Sequence, residues 1–223
     1  MSETGRSEAG GAGAGAMGLR ERKKQRMYET VSETAIRLFV EKGFDAVSVA
    51  EVAAAAEISK PTLFRYFPAK EDLVLYRIAD HEDEAARIVR EGPSPVEALR
   101  RHFLDGIERC DPITGLNDHP AVLAFHTLVY GTPALVARMY AYLERSEAAL
   151  AEALGAGLDA RLAAGQIVAV QRILAQENWR RISAGEPVAE VKRDAVAAAE
   201  RAFGLLEAGL PSSVGRAPGR EAE

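Results

Sequence analysis

Apolar side chains at Met27, Tyr28, Val31, Ala35, Leu38 and Phe39 recur at the three- and four-residue spacing of one helix face. The pattern predicts a first helix from about Arg22 to Lys42, with Gly43 as its stop and Phe44 folding back onto it. Ser48 followed three residues later by Glu51 has capping-box spacing, and Val49, Val52 and Ala53 give a short second helix its inward face. That helix runs to about Ala56. Ser59 is the next N-cap. Pro61 falls in the first turn, where its missing N–H removes no intrahelical bond. Leu63, Phe64 and Phe67 follow at core spacing, and Pro68 closes this third helix.

A fourth and longer helix is predicted over 70–90, through Leu73, Val74, Tyr76 and Ile78, ending at Gly92-Pro93-Ser94-Pro95. Further helices are expected over 96–108, 121–130, 133–154, 158–182 and 188–206, separated by Asp111-Pro112, a loop over 115–120, Gly155-Ala156-Gly157 and a Ser183 to Pro187 break. No stretch alternates as a strand does. The expected fold is all-α: a three-helix N-terminal helix-turn-helix domain and a larger helical body. Residues 1–18, with their Gly10 to Ala16 run of glycine and alanine, lack the bulk to pack and are read as a disordered tail; 211–223 is read as a flexible one.

Composition narrows the chemistry. The single cysteine, Cys110, excludes an internal disulfide and a cysteine-built zinc site. His81, His102, His119 and His126 contain no His-x-x-x-His pair, no serine sits in a nucleophile setting, and the glycines show no phosphate-cradling spacing. An enzyme is not expected, nor a metal or cofactor. Neither a secretory start nor a membrane-length apolar run is present, so a cytoplasmic protein with no membrane partner is expected. The formal net charge is −5, yet five of the seven residues from Arg20 to Arg26 are basic. Charge concentrated in this way binds phosphate even on an acidic chain; the alternative is a solvated tail.

Two helices joined by Ala56-Glu57-Ile58, the second very short, make a helix-turn-helix candidate whose second helix enters the major groove by its first residues. Lys60, Pro61 and Thr62 then face base edges: Thr62 by a hydrogen bond or a methyl contact, Lys60 at a guanine or a phosphate, Pro61 through apolar contact. Arg65 and Tyr66 would hold flanking phosphates. Ser48, Ser59 and Lys70 stand at helix starts, where amides and charge meet phosphate, and Arg22, Lys23 and Arg26 would reach along the backbone or into the minor groove.

The words Ser48-Val49, Val52-Ala53, Ala56-Glu57-Ile58-Ser59, Pro61-Thr62-Leu63-Phe64, Tyr66-Phe67, Lys70 and Leu73 closely resemble the signature of the TetR family of bacterial transcriptional regulators. The Glu41-Lys42-Gly43-Phe44 helix end resembles it too. Three positions depart from the pattern. Glu57 stands for the usual turn glycine, Pro61 for a common recognition-helix glycine, and Phe64 for a common tyrosine whose hydroxyl can touch phosphate in the family. The resemblance implies a DNA-binding domain over 19–68 and a ligand-binding and dimerisation domain over 69–210.

It further implies a homodimer on a palindromic or pseudo-palindromic double-stranded DNA operator, and repression relieved by a small effector. The apolar stripe of the last helix holds Val188, Val191, Ala195, Ala202 and Leu206 with Phe203 beside it, and the helix before offers Leu162, Val170, Ile173 and Leu174. Two such hairpins would make a four-helix interface; the alternative is that they close the protomer's own core. Phe103, Phe125, His126, Tyr130, Met139, Tyr140, Gln176 and Trp179 are the candidate lining of a largely apolar effector pocket. A non-sensing DNA-binding factor with a filled body is the main competitor, and a helical protein-interaction module the third reading.

Overall fold

A computed structural model describes residues 18–79, 81–91 and 94–210. The expectations for residues 1–17 and 211–223 lie outside the described residues. The described chain is all-α: α1 (Leu19–Lys42), α2 (Val49–Ala55), α3 (Lys60–Tyr66), α4 (Asp72–Ala79), α5 (Glu84–Arg90), α6 (Pro95–Glu108), a 3₁₀ turn (Pro112–Thr114), α7 (Pro120–Gly131), α8 (Pro133–Leu154), α9 (Leu158–Ser183) and α10 (Val188–Gly209).

Helices α1 to α3 form a head closed around Val31, Ala35, Phe39, Val47, Val52, Leu63 and Phe67, all buried. Helices of seven residues, the length of α2 and α3, do not hold themselves in water. Burial against α1 and good caps hold them here. An aromatic cluster ties the head to α4. Tyr28 stacks on Tyr76 at 5.0 Å and meets Tyr66 and Phe67 edge-on at 5.1 and 5.2 Å. The same apolar cluster continues into the body through Val129, Leu135 and Met139.

In the body, α8 packs on α5 and α9, while α10 packs on α6 and α9. Its core is lined by Leu99, Ile107, Leu150, Ile167 and Phe203. Gly115 lets the 3₁₀ turn dock on α9: it takes φ 75°, and a Cβ there would lie 2.1 Å from the Ala175 carbonyl oxygen. Buried Asn178 completes the contact by donating to the Thr114 carbonyl at 2.9 Å. Among the described residues no single helix is long and apolar enough to cross a membrane. Helices α7 and α8 reach that length only as a pair, and the pair is bent by 92°.

Two expectations are corrected. The predicted helix over 70–90 is two helices, because His81, Glu82 and Asp83 form turns, with N–H bonds from His81 to Ile78 and from Glu82 to Ala79 tightening the chain. A polar run with no apolar residue to bury on either side gives a helix no reason to continue. Second, Val191, Ala195, Phe203 and Leu206 are at most 6% exposed in the single protomer, so they close its own core against α6 and α9 and are not available to a partner.

Candidate DNA-reading face and inner cavity

The turn between α2 and α3 is made by local chemistry. The Ser48 hydroxyl accepts from the Glu51 N–H at 3.2 Å, and the Glu51 carboxylate accepts from the Ser48 N–H at 2.8 Å. That bond is the main reason the Glu51 carboxyl is held below the usual range. Val47 and Val52, at the positions of a hydrophobic staple, are both buried. At the other end of α2 the Glu57 N–H donates to Ala54 and the Ile58 N–H to Ala53, a Schellman pairing. It requires a left-handed residue, and Glu57 takes φ 55° despite its Cβ. Ser59 then caps α3 by accepting from the Thr62 N–H at 3.2 Å, with Pro61 in the first turn.

The outward side of α3 carries Lys60, Pro61, Phe64 and Arg65, all exposed, with Thr62 half-buried. The Ser59 and Thr62 hydroxyls share a hydrogen bond at 2.8 Å, so Thr62 is oriented by its own cap. Ser48 is exposed at the start of α2, and Arg22, Lys23 and Arg26 are exposed on the first turns of α1, where they are helical. The residues expected at DNA therefore fall on α3, the start of α2 and the start of α1.

Three placements differ from expectation. Phe64 is 42% exposed rather than in the core, because Leu63 and Phe67 alone fill the inward side of so short a helix. Its ring lies 5.8 Å from the Lys60 ammonium. Lys70 precedes α4 and turns inward, donating to the Phe44 carbonyl at 2.5 Å with its ammonium 4.4 Å from the Phe44 ring centre. It secures the end of α1 instead of standing free at the surface. Tyr66 is half-buried against Tyr28.

Helix α4 joins the head to the body. On the head side, the buried Ser32 hydroxyl donates to the Leu73 carbonyl at 2.7 Å, and Arg77 pairs with Glu33 at 2.9 Å. On the body side, Asp72 is 6% exposed and its carboxylate accepts four bonds. Arg138 supplies two at 2.8 and 3.1 Å, the Tyr142 hydroxyl one at 2.9 Å, and the Ala69 N–H one at 3.1 Å. Burial, and then the bond to Asp72, push the Tyr142 phenol up to about 12. Nothing in the residue pattern announced this site: Asp72 and Arg138 are 66 positions apart.

A cavity of about 1130 Å³ opens among α1 and α4 to α9. Its wall brings together Phe103, Phe125, His126, Tyr130, Met139 and Trp179, six of the eight residues expected there. It also takes in Tyr142 from the Asp72 site and Tyr76 and Ile36 from the head side. Gln176 faces a separate groove of about 370 Å³ behind Tyr130 and Trp179, where it accepts from Arg172 at 3.0 Å. Tyr140 is corrected: it is 50% exposed on the outer side of α8, with the Arg172 guanidinium 5.9 Å from its ring centre. His126 and Trp179 line the cavity, while the His126 Nδ1 and the Trp179 Nε1 are themselves buried away from it and have no hydrogen-bond partner among the described residues. Burial lowers the His126 pKa to about 4, so the ring is neutral near pH 7.

On the outside of the body, Leu162 and Ile173 of α9 are more than half exposed, joined by Leu158 of α9 and by Val196 and Leu205 of α10. Val170, Leu174, Val188 and Ala202 are half-buried beside them. Val196 and Leu205 are the apolar positions left over once the core stripe of α10 is assigned.

Residues 32–76 match the family model described as bacterial regulatory proteins, tetR family. The HTH-type transcriptional regulator TcmR of Streptomyces glaucescens is 35% identical over 135 residues, which is 58% of this chain and 58% of TcmR. The uncharacterized HTH-type transcriptional regulator YuxN of Bacillus subtilis (strain 168) is 37% identical over 77 residues, 33% of this chain and 26% of YuxN. The chain thus spans less than two thirds of either curated relative. Among solved structures, a TetR-family regulator of Streptomyces coelicolor A3 superposes with a TM-score of 0.56 at 21% identity, covering 86% of this chain and 99% of that one. NalD of Pseudomonas aeruginosa, the secondary repressor of the MexAB-OprM multidrug efflux pump, gives 0.54 at 17% identity, covering 85% and 98%. At these identities the likeness concerns the fold. The two capped helices that meet at this turn lie in the segment that matches the tetR family model, so residues 32–76 carry the sequence of those bacterial regulatory proteins and the chain as a whole resembles them in fold.

Proposed function

We propose that this protein is a ligand-responsive homodimeric repressor, with residues 19–68 reading the operator and 69–210 binding an effector and a second copy of the chain. The observation that carries the reading is the cavity. It reaches from the orphaned His126 and Trp179 to Tyr142, whose hydroxyl holds Asp72 at the start of α4. An occupant pressing on Tyr142 would disturb α4, which is bonded to both head and body. Moving α4 moves α3, because Tyr28 packs on Tyr66, Phe67 and Tyr76 together.

In this reading Thr62, Lys60 and Pro61 meet base edges. Arg65, Ser48, Ser59 and the α1 residues Arg22, Lys23 and Arg26 hold phosphates, with Tyr66 and Lys70 supporting the surface from behind. Two heads reach successive major grooves only if the bodies pair. The exposed Leu158, Leu162, Ile173, Val196 and Leu205 supply the apolar face for that pairing.

The test is fluorescence anisotropy of the purified protein on its own upstream promoter DNA at fixed salt, with and without a small-molecule library. Tight, sequence-specific binding released by one compound is expected. Specific binding that no compound alters would favour a non-sensing DNA-binding factor. Binding no tighter than to unrelated DNA would count against an operator there.

A further inference from the structure

Helix α3 is Lys60-Pro61-Thr62-Leu63-Phe64-Arg65-Tyr66, and its Leu63 is buried. Lys60, Pro61, Phe64 and Arg65 are exposed. Phe64 stands three residues after Pro61 and four after Lys60, so the three share one face of the helix. The Lys60 ammonium lies 5.8 Å from the Phe64 ring centre, and the Arg65 guanidinium lies 5.3 Å from the ring centre of Tyr66. The outer surface of α3 is therefore an apolar centre, Pro61 and Phe64, flanked by two cations.

Each base presents its own demand in the major groove. Lys60 and Arg65 only donate, so they suit guanine and phosphate. Adenine is matched by an amide that donates and accepts at once, and cytosine by a carboxylate. Helix α3 holds no Asn, Gln, Asp or Glu. The Thr62 hydroxyl shares a bond with that of Ser59 at 2.8 Å, and a hydroxyl that both donates and accepts separates the bases poorly. An A·T pair then keeps one distinctive feature that α3 matches, the thymine 5-methyl group. Phe64, at 42% exposed, is the large apolar side chain that α3 leaves in water.

We propose that Phe64 is a specificity-determining residue that packs its ring against a thymine 5-methyl group, with Pro61 beside it. This rests on the DNA-binding reading above and names the feature of the operator that α3 recognises. What is read is the methyl group and not the hydrogen-bonding edge of the base. Uracil, which pairs as thymine does, therefore fails at that position, and a methyl group on cytosine is felt there.

The operator is first selected from random duplexes on the full chain. Each of its thymines is then replaced singly by uracil, and anisotropy is read at one salt concentration, low enough to keep weak variants measurable. At the thymine under Phe64, uracil is expected to weaken binding about fourfold, the worth of one buried methyl group. Cytosine and 5-methylcytosine placed there should differ by about the same factor. In Phe64→Ala both differences should shrink to within about 1.5-fold, while Phe64→Tyr, which keeps the ring, should retain them. The side chain is exposed, so the melting temperature of either variant should stay unchanged. If every uracil duplex binds as tightly as its thymine parent, the proposal is overturned and the DNA-binding reading stands. A methyl dependence that survives Phe64→Ala assigns the methyl to another residue and overturns the role of Phe64. If selection returns no sequence preference at all, the DNA-binding reading fails and the proposal with it.

Discussion

The head and the body solve opposite problems with the same kind of helix. The head is closed inside and works at its outer surface. Ser48 with Glu51 and Ser59 with Thr62 cap its short helices, its aromatic rings interlock, and its exposed Lys60, Pro61, Phe64 and Arg65 lie on one short helix. The body is open inside. Its long helices enclose about 1130 Å³ and leave two buried polar atoms without partners. On the proposed function, the rigid surface is the one that reads DNA and the open chamber is the one that takes the effector. Between them stands α4, bonded to α1 by Ser32 and to α8 by Asp72.

The sharpest way to break that contrast is to cut the joint. Asp72→Ala leaves the Arg138 guanidinium and the Tyr142 hydroxyl without their buried carboxylate. It is expected to cost about 2 kcal/mol in denaturant unfolding, because the Arg138 side chain is 38% exposed and regains water. Whatever DNA binding survives at low temperature should no longer respond to a compound that releases the unmodified protein. A loss under about 1 kcal/mol would mean the cluster is not the fastening described here.

Next comes the open interior. The His126 pKa is about 4 in the folded protein against the ordinary histidine value of 6.5, so between those pH values the unfolded chain binds more protons. Stability should therefore fall as pH drops through 6.5 toward 4, by about 2 kcal/mol from this residue. The measurement is the urea midpoint against pH for the protein and for His126→Phe. The variant should lack that share of the acid sensitivity, and parallel curves would contradict the assignment.

The smallest effects probe the closed head. Ser48→Ala removes one half of the capping box and should cost about 1 kcal/mol, with no change in ligand response. Glu57→Gly relieves a left-handed residue that has a Cβ, and should raise the unfolding free energy by roughly 0.5 kcal/mol. Destabilisation by the glycine would show that the Glu57 side chain contributes something its geometry does not display.

The head was readable because its determinants are neighbours in sequence. Ser48 and Glu51 announce a cap, Ser59 and Pro61 another, and Glu57 marks the turn between them. Phe64 escaped because periodicity counts it with Leu63 and Phe67, and nothing local says that two residues fill the inward side of α3. In the body the helices were readable apart from the break at His81 to Asp83, and their faces only in part. The stripe of Val191, Ala195, Phe203 and Leu206 is as apolar as an interface would be, and only the placement of α6 and α9 decides that it closes the protomer's own core. Tyr140 and Met139 are adjacent, yet one is 50% and the other 6% exposed, because a helix turns about 100° per residue. Asp72 carries no mark in the sequence beyond its place near a helix start, and α8, some 66 residues on, brings Arg138 to it.

The central claim of the proposed function is that α3 holds its operator through Thr62 at a base edge and Arg65 at a phosphate. Its most direct test is anisotropy of the unmodified protein and of a Thr62→Ala, Arg65→Ala double variant on upstream promoter DNA and on unrelated DNA of equal length, at one salt concentration. The account predicts specific binding by the unmodified protein and a loss of about 30-fold or more in the variant, with the melting temperature unchanged. Equal affinity of the two proteins for the promoter would contradict it.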